Sequence, residues 1–388
     1  MGKNKKKSPV TVMIIMLISM TAGAICMNKM SPVLTAVCNE LGITTAQSGL
    51  LLSIFVLSGI FLSIPMGVLV ARYGTFRMGL VSLLCIIVGS GVGALSKSYA
   101  VMLASRFLEG IGMMFLMCIG PAAVGKTATD KNRGTLMGIV MCFMSFGQII
   151  ALNLAPVFGW RKFWWFSAAF AGVGLVLWLI FIPGIDDGDE EENTEAGNTG
   201  VLSDVLKNSN VWLIAATFLL FMLAHMGAFN YLPTYLQEVG GMSASAAGTL
   251  TSLASAIGIP VGILGGTLAD KWGSRKKPLA LSMILLAVLL VAIPFFSGKA
   301  YVAALVLYGI FAMCEAGLCM TSIAEVVPAH QTAAATGIVN TGQWIGAFMG
   351  STLFGAILGR TNWNISFYVM AVIAVLGAVA ILSAKKLK

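Results

Sequence analysis

Long apolar runs alternate with short polar stretches along almost the whole chain. Twelve such runs stand at 11–37, 46–70, 77–96, 100–124, 134–156, 162–183, 211–236, 245–268, 278–297, 301–325, 333–357 and 364–384. A helix of about 20 apolar residues spans a hydrocarbon core of about 30 Å. The pattern therefore predicts an all-α membrane protein with twelve transmembrane helices. Twelve is even, so both termini lie on one side of the membrane.

One polar stretch is longer than the rest. Gly184–Asn210 carries Asp186, Asp187, Asp189, Glu190, Glu191, Glu192 and Glu195, and reads as a solvated acidic linker. It divides the chain into an N-terminal six-helix bundle at 1–183, a linker at 184–210 and a C-terminal six-helix bundle at 211–388.

The two halves repeat at one offset. Gly49 and Gly248, Gly59 and Gly258, Gly67 and Gly266, Gly74 and Gly273, Gly110 and Gly309, Gly138 and Gly337, and Gly147 and Gly346 are each 199 positions apart, as in 273 − 74 = 199. A fixed offset of this kind marks an internal structural repeat, which many secondary transporters carry. The two bundles are accordingly expected to be pseudo-symmetric. The glycines themselves read as close-packing positions between helices.

Composition agrees with a bilayer as solvent. Of the 388 residues 58% are hydrophobic and 10% charged, and the mean hydropathy is +0.92. Soluble domains carry about 25% charged residues. The net charge of +9 does not indicate a nucleic-acid partner, because the basic residues are scattered through short loops. With the N-terminus inside, 17 of the 24 Lys and Arg residues fall in cytoplasmic segments and 5 in external loops. That bias places both termini in the cytoplasm and the chain as a multi-pass protein of the plasma (inner) membrane. Lys3, Lys5, Lys6 and Lys7 precede the first run without an evident cleavage site, so that run is expected to be a retained span. The seven cysteines form no CxxC or Cys/His cluster, which leaves a disulfide scaffold and a zinc site unsupported.

Two basic loops sit at equivalent places in the halves. One is Gly67-Val-Leu-Val-Ala71-Arg72-Tyr-Gly74-Thr-Phe-Arg77. The other is Gly266-Thr-Leu-Ala-Asp270-Lys271-Trp-Gly273-Ser-Arg275-Lys276-Lys277. The second of these, together with Arg106-Phe-Leu-Glu109-Gly110-Ile-Gly112 in the fourth run, resembles the signatures of the major facilitator superfamily. The likeness covers nearly the whole chain. It implies the fold of that family, with two six-helix bundles working by alternating access. It also implies gating roles for Gly67, Arg72, Gly74, Gly266, Asp270, Lys271, Gly273 and Arg275. In that family the loop carboxylate caps a helix N-terminus of the other half and helps lock the outward-facing state. Ala71 stands where the upstream copy would carry the acid, so the lock here leans on Asp270, which is expected near the start of the fifth span at Arg133–Met137. The run Asn28-Lys29-Met30-Ser31-Pro32 followed by Asn39-Glu40-Leu41-Gly42-Ile43 is similar to the cyanate-porter-like branch. The arginines that nitrate porters carry in spans two and eight are missing, as is the Gly-Pro…Gly-Gly antiporter signature of span five.

Charges within a bilayer are costly and need a partner or a role. Lys29 in span one, Arg106 and Glu109 in span four, His225 in span seven and Glu315 in span ten are such residues. The resemblance implies that spans one, four, seven and ten line a central cavity. Lys29, Asn28, Arg106, His225, Asn230, Tyr231, Asn340, Gln343 and Trp344 are the candidate substrate-binding residues, and Gln148 and Asn153 are further polar positions. Arg106, Glu109 and Glu315 are the candidates for proton coupling. Arg106 and Glu109 share one helical face and equally satisfy each other as an i,i+3 pair, and His225 equally suits a hydrogen-bonded core. If span one continues to Val37, Lys29 lies about 12 Å inside the core boundary, beyond snorkelling range. It must then meet a counter-charge, with Glu315 as one choice, or face a wet cavity and anchor an anionic solute.

No nucleophile–base pair, phosphate-cradling loop or metal spacing stands out, so an enzyme is not expected, and no cofactor or metal is implied. The expectation is a monomeric secondary transporter of a small, organic anion, with protons and the lipid bilayer as its other partners and no nucleic acid. Proton-driven efflux of amphipathic compounds and a non-transporting receptor on the same scaffold are the rival readings.

Overall fold

A computed structural model describes residues 8–129, 133–183, 204–272, 275–328 and 331–384. Each of the twelve apolar runs falls on helix, and the described residues contain no strand. The helices are α1 (Pro9–Asn28), α2 (Leu34–Leu41), α3 (Thr45–Tyr73), α4 (Thr75–Ala94), α5 (Tyr99–Thr127), α6 (Arg133–Met141), α7 (Phe143–Phe158) and α8 (Trp160–Phe181) in the first half. The second half has α9 (Ser209–Glu238), α10 (Ala244–Trp272), α11 (Lys276–Ala292), α12 (Ala300–Val326), α13 (Thr332–Leu358) and α14 (Trp363–Leu382). Among the described residues, nine helical stretches are long and apolar enough to cross a membrane.

Two sequence intervals are broken where continuous helix was expected. Span one ends as α1 at Asn28, and a 3₁₀ turn over Ser31–Val33 joins it to α2. Pro32 lies in this turn; it has no N–H to return to the carbonyl of Asn28, and its ring crowds that carbonyl. Lys29 therefore caps α1, with its N–H bonded to the Ile25 carbonyl, instead of sitting in mid-helix. Span five is interrupted at Cys142, between α6 and α7.

By compactness the chain forms two units. One comprises Met1–Val33 with Ile54–Glu190, and the other Leu34–Ser53 with Glu191–Lys388. In the first, α1 packs on α5, α7 and α8, and α4 packs on α5 and α8. In the second, α9 packs on α12, α13 and α14, and α11 packs on α12 and α14. The same pairings recur at equivalent positions. The offset recurs as well: α3 and α10 are both 29 residues long and start 244 − 45 = 199 positions apart. The loops before them turn on Gly42 and Gly241, each with φ of +65°, a left-handed conformation that side chains resist. A methyl carbon at Gly110 would overlap the Phe55 carbonyl, and one at Gly309 the Ala254 carbonyl, where 254 − 55 is again 199. The acidic linker lies mostly outside the described residues; its last part is helical at 204–207, and Asn208 caps α9.

The outer faces are apolar. Val81, Leu84 and Val88 on α4 and Val173, Val176 and Ile180 on α8 are all more than two-fifths exposed, at helical spacing. Water would select polar residues there. Hydrocarbon does not, provided the backbone satisfies its own hydrogen bonds, as a helix does.

Candidate functional site

The first unit holds a buried ionic cluster. α5 carries Arg106 and Glu109 one turn apart, and the end of α1 supplies Lys29. All three side chains are fully buried. The Lys29 ammonium lies 2.7 Å from Glu109 Oε1, and Arg106 Nη1 lies 2.7 Å from Glu109 Oε2. One carboxylate is thus shared by two cations. Ser90 of α4 completes the group: its hydroxyl accepts from Lys29 at 3.0 Å and donates to Glu109 Oε1 at 2.7 Å.

The break after α1 matters for this cluster. The last turn of a helix leaves carbonyls without intrahelical partners. Arg106 takes two such carbonyls, donating to Cys26 O through Nη1 and to Met27 O through Nη2, the latter at 3.2 Å. Aromatic faces cover both cations. Lys29 Nζ is 4.3 Å from the Trp164 ring centre, and the Arg106 guanidinium carbon is 4.8 Å from the Phe55 ring centre. These distances are within the range of cation–π attraction. Two buried donors in the group, Arg106 Nε and the Trp164 indole N–H, have no hydrogen-bond partner among the described residues. Two cations, one carboxylate and two idle donors leave an excess of positive charge and donor capacity in the interior of the unit. That arrangement is complementary to an anion.

Glu109, not Glu315, is therefore the counter-charge of Lys29. The sequence reading weighed Glu315 because it assumed an unbroken first span, which misplaces Lys29 along and around the helix. Glu315, fully buried on α12, accepts from the Ser282 hydroxyl of α11 and from the Cys319 thiol at 3.9 Å. It forms no ion pair among the described residues.

His225 is a hydrogen-bonded core residue of the second unit. Its Nδ1 pairs with the Tyr308 hydroxyl at 2.9 Å, and its ring stacks on Phe221 at 5.4 Å and meets Phe229 at a tilt at 5.3 Å between centres. The other polar candidates are spread out. Asn28 donates to the Ala24 carbonyl of its own helix at 2.9 Å, and Asn153 likewise to Ile149 at 2.8 Å. Asn230 donates to the Ser351 hydroxyl at 2.8 Å. Tyr231 pairs with Ser48 at 2.8 Å and stacks on Phe354. Gln148 is buried on α7. Asn340 and Gln343 lie half-buried on α13, and Trp344 is buried beside them.

The gate residues are only partly described. Gly67 lies within α3, Arg72 is exposed at its end beside Tyr73, and Gly74 makes the turn to α4 with φ of +82°. Gly266, Asp270 and Lys271 belong to α10, but the expected cap by the Asp270 carboxylate lies outside the described residues, as does Gly273. Arg275 forms an ion pair of 3.1 Å with Glu325 at the end of α12, both part-exposed.

Sequence reading missed Ser90, Trp164 and Phe55 around the cations, Ser282 beside Glu315, and Tyr308 beside His225, whereas the Glu315-to-Cys319 spacing already puts those two on one helical face. Ser90 had a signal, being a hydroxyl in the middle of an apolar run. Trp164 had none, since its position depends on Gly93, where an added methyl carbon would overlap the indole.

Comparison with known proteins agrees with this architecture. A cis,cis-muconate transport protein of Acinetobacter baylyi is 26% identical over 355 residues, covering 85% of this chain and 83% of the relative. Quinidine resistance protein 1 of Saccharomyces cerevisiae is 30% identical over 178 residues, which are 44% of this chain and 30% of that protein. Among solved structures, an inward-facing, unoccupied bacterial homologue of the human lysosomal transporter Spinster matches with a TM-score of 0.83 at 15% identity, over 100% of this chain and 98% of that one. The nucleoside transporter NupG matches with a TM-score of 0.79 at 14% identity, over 98% and 99%. At such identities the structural likeness shows the fold alone. The sequence model of the Major Facilitator Superfamily matches residues 12–312 and 241–387, and the chain is a multi-pass membrane transporter belonging to that superfamily.

Proposed function

We propose that this transporter moves a small organic anion by alternating access of its two six-helix halves, coupled to protons. The observation that carries the reading is the buried Lys29–Glu109–Arg106 cluster, with two cations on one carboxylate and two donors unused. An incoming carboxylate competes with Glu109 for Lys29 and Arg106. Glu109, whose two cations the solute would take over, is the proton carrier of this half. Glu315, held among the described residues by Ser282 and Cys319, is the second proton carrier. The relative that transports cis,cis-muconate, the anion of an organic acid, supports this class of solute. The alternative, efflux of amphipathic compounds, is favoured by the partial match to a quinidine resistance protein. The protein acts in the plasma membrane as a monomer, with both termini in the cytoplasm and import of the anion as symport with protons.

A thermal-stability panel on the purified protein separates the two readings. Small mono- and dicarboxylates, cis,cis-muconate among them, raise the melting temperature if the cluster is an anion site. Quinidine raises it instead if the alternative holds.

A further inference from the structure

A polar cavity lies wholly within the second unit. It has a volume of about 430 Å³ and opens among α2, the first turns of α3, the C-terminal end of α9 and the α13–α14 connection. That volume is in the range of small-molecule sites, about 300–1,000 Å³. None of its lining residues belongs to the Lys29 cluster.

Its chemistry is the reverse of that cluster. Glu238 supplies a carboxylate, and no Lys, Arg or His lines the cavity. Glu238 is exposed, accepts a hydrogen bond from the Trp363 indole and forms no ion pair among the described residues. Two hydroxyl oxygens on the lining, Thr35 Oγ1 and Thr234 Oγ1, are buried without a hydrogen-bond partner among the described residues, and Thr234 as a residue is only 5% exposed. Buried polar groups are nearly always paired, so two idle hydroxyls on one cavity point to a missing donor or acceptor. Tyr231 and Trp363 add aromatic wall, and Leu34, Ile43 and Leu358 add apolar wall.

A carboxylate with no counter-charge among the described residues, spare hydroxyl oxygens and aromatic rings together select a cation with N–H groups. An anion would meet Glu238 with no cation to offset it. We propose that this cavity is a binding site for a small organic cation: a protonated primary or secondary amine with an apolar part. The ammonium sits at Glu238, its N–H groups reach the threonine hydroxyls, and its apolar part lies against the leucine and isoleucine wall. A ligand there joins α2 and the start of α3 to α9 and the α13–α14 connection, so it acts as a modulator at a place separate from the transported anion.

Cys38 lines the same cavity and is half-buried, which gives a local reporter. The full-length protein is purified in detergent and treated with N-ethylmaleimide, and alkylation of each cysteine is followed by peptide mass spectrometry. Phenethylammonium is the probe, 3-phenylpropanoate its anionic counterpart, and Cys85 on α4 the internal reference. At about ten times its Kd the amine leaves about a tenth of the sites empty, so Cys38 alkylation slows roughly tenfold while Cys85 is unchanged. The carboxylate gives no protection, and Glu238→Gln and Thr234→Val each weaken protection by the amine. Equal protection by amine and carboxylate, no protection by the amine, or full protection in Glu238→Gln overturns the proposal. The comparison of amine with carboxylate on the wild-type chain stands even if a variant fails to fold.

Discussion

The Lys29 ammonium meets the Glu109 carboxylate at 2.7 Å, and neither side chain has any exposed surface. Arg106 holds the other oxygen of the same carboxylate. The cluster is therefore asymmetric under substitution. Glu109→Ala strands two buried cations, and loss of one buried partner destabilises by about 3–5 kcal/mol. Lys29→Met leaves Glu109 paired with Arg106 and fills the ammonium's place with a chain of similar length, so its effect is smaller. Thermal unfolding of the two variants in detergent checks the order. A Lys29→Met protein less stable than Glu109→Ala contradicts the shared-carboxylate arrangement.

The repeat makes a paired prediction. At Gly110 and Gly309 an added methyl group meets the backbone carbonyl of residue 55 or 254, which cannot swing aside as a side chain can. Gly110→Ala and Gly309→Ala should each destabilise by about 1–3 kcal/mol through overpacking. Gly138→Ala and Gly337→Ala, where nothing among the described residues lies within 4 Å of the added carbon, should be neutral or stabilising by up to about 1 kcal/mol. Unequal effects within either pair would mean that the halves pack differently at these points.

Much of the fold was legible because the bilayer demands long apolar runs and glycine marks close helix contacts. Counting runs put helix in each of the twelve intervals, with nine stretches among the described residues long and apolar enough to span, and the offset of 199 recurs in the starts of α3 and α10. The first span was misread because a hydropathy run does not show where a helix breaks; Pro32 was the available sign, and it moves Lys29 from mid-helix to a cap. The charged residues of the site were legible as costly groups in an apolar context. Their partners were not. Glu109 and Glu315 are both buried acids to the sequence, and only packing of α1 against α5 brings Lys29 to the first of them.

His225 tests the line between core and site. Phenylalanine retains the ring contacts with Phe221 and Phe229 and removes the Nδ1 hydrogen bond, while Tyr308 keeps the backbone carbonyl of residue 225 at 3.2 Å. His225→Phe should lose about 0.5–1.5 kcal/mol of stability and leave uptake at the wild-type level. A well-folded His225→Phe protein without uptake would place this ring at the substrate.

Glu315 separates coupling from binding. Glu315→Gln keeps the hydrogen bond to Ser282 available but removes a titrating proton. Exchange of labelled for unlabelled solute across vesicles should persist, and accumulation driven by a pH gradient should fall. Accumulation at the wild-type level in Glu315→Gln would assign the coupling to another group.

Uptake into proteoliposomes tests most directly whether an anion enters the Lys29–Glu109–Arg106 cluster. Vesicles carrying the wild-type protein or Lys29→Ala are given labelled cis,cis-muconate with an acidic exterior and a neutral lumen. The account predicts saturable, gradient-dependent accumulation by the wild type, competed by other small carboxylates, and its loss in a Lys29→Ala protein that still folds and inserts. Undiminished carboxylate uptake by well-folded Lys29→Ala, or gradient-driven transport by the wild type of quinidine and of no carboxylate, would contradict it.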